Sequence, residues 1–172
     1  PNEAGFDGLL TDAAIEQRLA GIARGKNSDV ASQPGCAGRP ILTADTIIVV
    51  RDDAGSPVVL GQPPVDASWP DVVRRWFDSY YLGKTHAALT AVCLSTPNGQ
   101  PHETVVRSEV TFRRDGHNWL DWYIATGEPL DKSGSYGIQG LGAAFVSRIE
   151  GDYYNVAGLP VAALNDLLLA SG

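Results

Sequence analysis

Ile41-Leu42-Thr43-Ala44-Asp45-Thr46-Ile47-Ile48-Val49-Val50 is the stretch from which the rest of the chain can be read. Its Ile and Val residues predict a buried β-strand, because β-branched side chains pack well on a pleated surface. Thr43 to Thr46 interrupt the apolar run, which is odd for a core strand. A carboxylate buried there without a partner is costly. Asp45 is therefore expected where the strand reaches a cleft, or paired to a cation or a metal.

Outward from this strand, helical spacing of Ile15, Leu19, Ile22 and Ala23 predicts a helix over residues 11–31, with Thr11 or Asp12 as its cap. Residues 57–60 read as a short returning strand after the Asp52–Gly55 turn. Ser68-Trp69-Pro70-Asp71 has the form of a capping box opening a helix that runs to about Tyr81. Residues 86–95 and 104–114 read as strands joined at Pro97-Asn98-Gly99. A short helix is expected over 118–126, a hairpin from 143–149 and 153–156, and a last helix over 161–170. Helices interleaved with strands give an α/β class on a mixed twisted sheet.

The 172 residues suit one domain, and 44% hydrophobic content allows a sizeable core. Thirteen Lys and Arg against twenty Asp and Glu give −7, which disfavours a protein that coats nucleic acid or an anionic membrane. Cys36 and Cys93 are too few for a disulfide framework, so a cytoplasmic location is expected. No run of 18 apolar residues marks a membrane span. There is no Met and the first residue is Pro1, so the reading expects a chain whose N-terminus is processed or missing.

Besides Asp45, residues 127–140 attract attention. Glycines and a proline shape a loop whose backbone N–H groups can face an anion. Lys132 offers a point charge suited to phosphate, and Gln139 offers both a donor and an acceptor for a base edge. Glu128 and Asp131 suit either a divalent cation or a salt bridge to Lys132. Asp45 is expected to face the pocket that this stretch forms. Lys26 closes the first helix. His86, His102 and His117 match no metal spacing and read as structural or surface residues.

The ordered motifs resemble a known family. Ile41 to Val50 is followed by Val59-Leu60-Gly61-Gln62-Pro63, Gly83-Lys84-Thr85-His86, Ser108-Glu109-Val110-Thr111-Phe112, the 127–140 stretch and Ile149-Glu150-Gly151-Asp152-Tyr153-Tyr154-Asn155-Val156-Ala157-Gly158-Leu159-Pro160. Over residues 20–170 this is similar to the Maf (septum formation inhibitor-like) nucleoside triphosphate pyrophosphatases. The resemblance implies hydrolysis between the α and β phosphates to a monophosphate and pyrophosphate, with Mg²⁺ or Mn²⁺ as cofactor. It implies Asp45 as proton acceptor and metal ligand, Thr46 and Gln139 as residues of substrate choice, and Lys26 and Lys132 as substrate-binding cations. The Tyr136-Gly137-Ile138-Gln139-Gly140 form resembles the dTTP/UTP branch. A cleft between two lobes and a homodimer are further implications. The family's leading strand and Ser-x-Ser-Pro-Arg-Arg loop have no counterpart here, so residues 1–172 are expected to be a single domain lacking them. Gln62 stands where the family has a lysine. A nucleotide-binding protein without full catalysis is the alternative.

Overall fold

A computed structural model describes residues 5–36, 38–97 and 100–171. The Ile/Val stretch forms β1 (Ile41–Arg51), which continues unbroken through its polar middle. The chain returns through β2 (Pro57–Leu60) and later adds β3 (Thr85–Ser95), β4 (His102–Phe112) and β5 (Val146–Glu150) to the sheet. The order is β2-β1-β3-β4-β5. All four pairings are antiparallel, whereas the sequence suggested a mixed sheet. The physical reason is placement. β1 lies between β2 and β3 and opposes both, so β2 and β3 run parallel only as second neighbours.

Strand alternation divides the core in two. Ile47 and Val49 meet Ile15, Leu19 and Ala23 of α1 (Asp12–Ala31). Ile48 and Val50 meet Val73 and Phe77 on the opposite face. Thr11 caps α1 by accepting a hydrogen bond from the Ala14 N–H, and every fourth residue from Ile15 to Asn27 is buried. Asn27 ends that stripe by donating to the carbonyls of Ile41 (2.9 Å) and Cys93 (3.2 Å), which fixes α1 across β1 and β3.

On the other face lie α2 (Trp69–Trp76) and α3 (His117–Ala125). The expected continuation to Tyr81 exists, but residues Phe77–Tyr81 are π-helical. The wider turn puts Phe77 and Tyr81 together in the core, with ring centroids 5.3 Å apart. Ser68 does not cap α2 with its side chain. Its hydroxyl and backbone N–H both donate to Asp66 Oδ1, which satisfies the turn one step earlier. The expected hairpin arm at residues 153–156 is instead a helical turn, α4 (Tyr153–Val156), capped by Asp152. β5 pairs with β4, and α5 (Val161–Ser171) closes the chain. Asn98 and Gly99 of the expected hairpin turn lie outside the described residues.

β2 covers only Ile48 to Arg51 of β1. Among the described residues, positions 41–47 of β1 have a strand neighbour on the β3 side alone. Among the described residues this part of β1, with Asp45 and Thr46, is thus an open edge of the sheet.

Candidate functional site

A cavity of about 420 Å³ opens between β1, the loop of residues 128–140 and the turn after α4. Thr46, Glu128, Lys132, Tyr136, Gln139 and Gly158 are among the residues lining it. The loop has the conformations its glycines permit: Gly127 and Gly134 sit at φ +75° and +71°. Ser135 shares that left-handed region at φ +65°, a strained position for a residue with a Cβ.

Each lining side chain has a local reason for its direction. Thr90 Oγ1 donates to the Asn155 carbonyl at 3.0 Å. Its single proton being used, the 2.8 Å contact between Thr46 and Thr90 has Thr46 as donor. The remaining capacity of Thr46 Oγ1 is therefore that of an acceptor. Lys132 Nζ lies 2.5 Å from Asp131 Oδ1, with both groups reachable from solvent. Gln139 is exposed at the rim. Gln62 Nε2 donates to the Asp131 carbonyl at 3.2 Å and so braces the same loop.

The structure brings Thr46, Lys132 and Gln139 together at one cavity. Asp45 and Lys26 form a second group, a salt bridge on the α1 side of the strand. Asp45 does not line the cavity, contrary to the expectation that it would face the 127–140 stretch. Adjacent residues of a strand point to opposite faces, so Asp45 and Thr46 cannot both look into one pocket. The buried-charge argument allowed pairing to a cation, and Lys26 is that cation. Their side chains are 21% and 50% exposed, so both remain accessible beside the open edge of β1.

The donor set bears on a divalent metal. Among the described residues there is no group of three or more His, Cys, Asp or Glu side chains able to hold one. Glu128 is not free for a metal and does not pair with Lys132. Its carboxylate accepts from the backbone N–H groups of Leu141 (2.8 Å) and Gly142 (2.9 Å) and from the Tyr123 hydroxyl (3.2 Å). The carboxylates left accessible are Asp131, paired with Lys132 at the cavity, and Asp45, paired with Lys26. That fits a cation that arrives with most of its ligands on substrate phosphates, as Mg²⁺ does.

His86 lies beneath the loop, where its Nε2 meets the Tyr136 hydroxyl at 2.8 Å. Its Nδ1 is buried without a hydrogen-bond partner among the described residues. Burial pushes its pKa down from 6.5 to about 3, so it stays neutral in the fold. The unfolded chain takes up the proton first as pH falls. Stability is therefore full above about pH 6.5 and declines as pH drops toward 3. Between pH 7 and pH 5 the expected loss is about 2 kcal/mol, readable as a lower melting temperature. A His86→Gln variant is expected to flatten that slope; an unchanged slope would remove His86 as its source.

Sequence reasoning missed the structural use of Glu128 and Asn155, whereas His86, read as structural or surface, is a buried residue of the core. Only Glu128 had a readable signal, the glycines at 140 and 142. A Cβ on Gly140 would lie 2.6 Å from Glu128 Oε1, and one on Gly142 would lie 2.9 Å from the Gly137 nitrogen.

A family model described as Maf-like protein matches residues 4–171. Among curated proteins, the dTTP/UTP pyrophosphatase of Dictyoglomus turgidum is 39% identical over 128 residues, 74% of this chain and 62% of that protein. The dTTP/UTP pyrophosphatase of Moorella thermoacetica is 38% identical over 90% of this chain and 74% of its own length. That of Pasteurella multocida is 37% identical over all 172 residues, covering 79% of its length. The chain thus spans 62% of the length of the first of these relatives, less than two thirds of it.

Proposed function

This chain belongs to the Maf-like protein family, and on that premise we propose that it is a nucleoside triphosphate pyrophosphatase acting on dTTP and UTP. The observation that carries the reading is the cavity where Thr46, Lys132 and Gln139 converge. Relatives named for dTTP and UTP support the substrate class. In this reading Gln139 pairs with the amide-like edge of the pyrimidine, and Thr46 accepts a hydrogen bond from the nucleotide. Lys132 exchanges its exposed contact with Asp131 for phosphate.

The phosphates then run along the open edge of β1 toward Lys26 and Asp45. A water oxygen bonds to the α-phosphorus while the bridging bond to the β-phosphate breaks. Pyrophosphate leaves with the bond's electron pair. Asp45 takes the proton from the attacking water, and Lys26 balances charge on the phosphates. A divalent cation, Mg²⁺ or Mn²⁺, would be held by Asp45 and would supply further neutralisation. The protein is proposed to work in the cytoplasm, as a homodimer, with neither nucleic acid nor membrane as partner. Among the described residues no helix is long and apolar enough to cross a membrane.

The test is pyrophosphate release from dTTP, UTP, dGTP and ATP with Mg²⁺ or Mn²⁺. Faster release from the two pyrimidine nucleotides supports the reading; equal or absent release contradicts it. Gln139→Ala is expected to raise KM for dTTP about tenfold and to erode the preference over dGTP, with kcat changed less than about threefold. A KM unchanged by that substitution would remove Gln139 from the base site.

One observation favours a second reading, binding without turnover: Asp45 is already engaged by Lys26. Calorimetry showing tight dTTP binding together with no pyrophosphate would select it.

A further inference from the structure

The 127–140 stretch is expected to offer its N–H groups to an external anion; the two amides that follow it already hold an internal one. The Leu141 and Gly142 amides, thirteen and fourteen residues along the chain, converge on the two oxygens of Glu128. Between these ends lie Lys132, Tyr136 and Gln139. The Glu128 carboxylate thus closes the loop into a ring. Tyr123 supports the ring from below, its hydroxyl lying 3.2 Å from both Glu128 Oε1 and the Ser135 carbonyl. The sequence around the clamp is shaped for it. A Cβ on Gly140 would fall 2.6–2.7 Å from all three atoms of the Glu128 carboxyl group, so only glycine there lets the carboxylate reach the next two amides.

We propose that Glu128 is a positioning residue: its carboxylate, clamped to the Leu141 and Gly142 amides, holds Gln139 in register with Thr46 and thereby sets affinity for the base. The proposal rests on the pyrimidine nucleotide reading above. Glu128 touches no reacting atom, and its effect is to spare the nucleotide the cost of ordering the loop. Charge-assisted hydrogen bonds to backbone N–H groups are stronger than neutral ones, which suits them to this task.

Glu128→Gln tests it, because the side-chain amide can accept from one N–H but opposes the other with its own donor. In this variant KM for dTTP is expected to rise about tenfold with kcat changed less than about threefold. Preference for dTTP over dGTP falls with it, and the Leu141 and Gly142 amides exchange with solvent at least about tenfold faster. Gly140→Ala, which displaces an intact Glu128, is expected to reproduce this pattern. Wild-type KM with unchanged amide exchange in Glu128→Gln would overturn the proposal. So would a fall in kcat and melting temperature without a rise in KM. If the unaltered chain releases no pyrophosphate, the functional reading fails, while amide exchange in the two variants still decides the clamp.

Discussion

Asp45→Asn is expected to lower turnover of dTTP by about 10²–10⁴-fold, the usual contribution of a positioned acid or base. The amide keeps the size of the carboxylate but cannot accept the water's proton or draw a cation. KM is expected to change little, because the proposed base site, Thr46 and Gln139 at the cavity, lies across the strand from Asp45. Stability should hardly move either. The pair with Lys26 is partly solvent-exposed, and such pairs contribute about 0–1 kcal/mol. The signature is thus a loss of kcat at constant KM and constant melting temperature. Turnover within about threefold of the unaltered chain would leave Asp45 as no more than the partner of Lys26.

Gly134→Ala is the substitution with the largest expected effect on the fold. Gly134 sits at φ +71°, and a Cβ there would lie 2.6 Å from the Tyr81 hydroxyl and 2.7 Å from Ile48 Cγ1. The Tyr81 hydroxyl also donates to the Gly134 carbonyl at 2.8 Å. The added methyl therefore breaks a buried contact, crowds the β1 core face and imposes a left-handed backbone on alanine. The left-handed conformation costs about 1–2 kcal/mol and overpacking about 1–3 kcal/mol. A total near 3 kcal/mol lowers the melting temperature by about 6–12 °C for a chain of this length. Loss of dTTP binding should accompany it, since Lys132 and Gln139 flank the displaced segment. A melting temperature within about 2 °C of the unaltered chain would show that the loop moves aside freely.

Much of this architecture was legible from the sequence because its signals are strong and local. The Ile/Val run of β1 and the helical spacing of Ile15, Leu19, Ile22 and Ala23 each demand one geometry. Tyr153-Tyr154-Asn155-Val156 misled because aromatic and β-branched residues favour strands. Asp152 overrides that preference by capping the turn with its side chain, and Asn155 anchors it by donating to the Ala88 carbonyl at 3.0 Å. The Ser68 pattern failed because Asp66, two residues earlier, takes the Ser68 N–H and hydroxyl proton, and the Asp71 N–H donates to the Ser68 carbonyl.

At the site, residue types were legible and facing was not. Asp45 and Thr46 were both singled out, but the period of a strand separates them. The facing of Asp45 would have followed from counting odd and even positions back from Ile47, which is buried against α1. Glu128 was noticed as a charge, though its partners include backbone amides thirteen and fourteen residues away. No composition of the loop reveals that distance; only the glycines at 140 and 142 hint at something filling the space.

The central claim is that the chain opens the α–β phosphoanhydride of dTTP. The direct measurement is incubation with dTTP and Mg²⁺ in ¹⁸O-labelled water, with products resolved by mass spectrometry. The account predicts dTMP carrying the label and unlabelled pyrophosphate in equal amounts. Formation of dTDP and labelled phosphate, label in the pyrophosphate, or recovery of intact dTTP would contradict it.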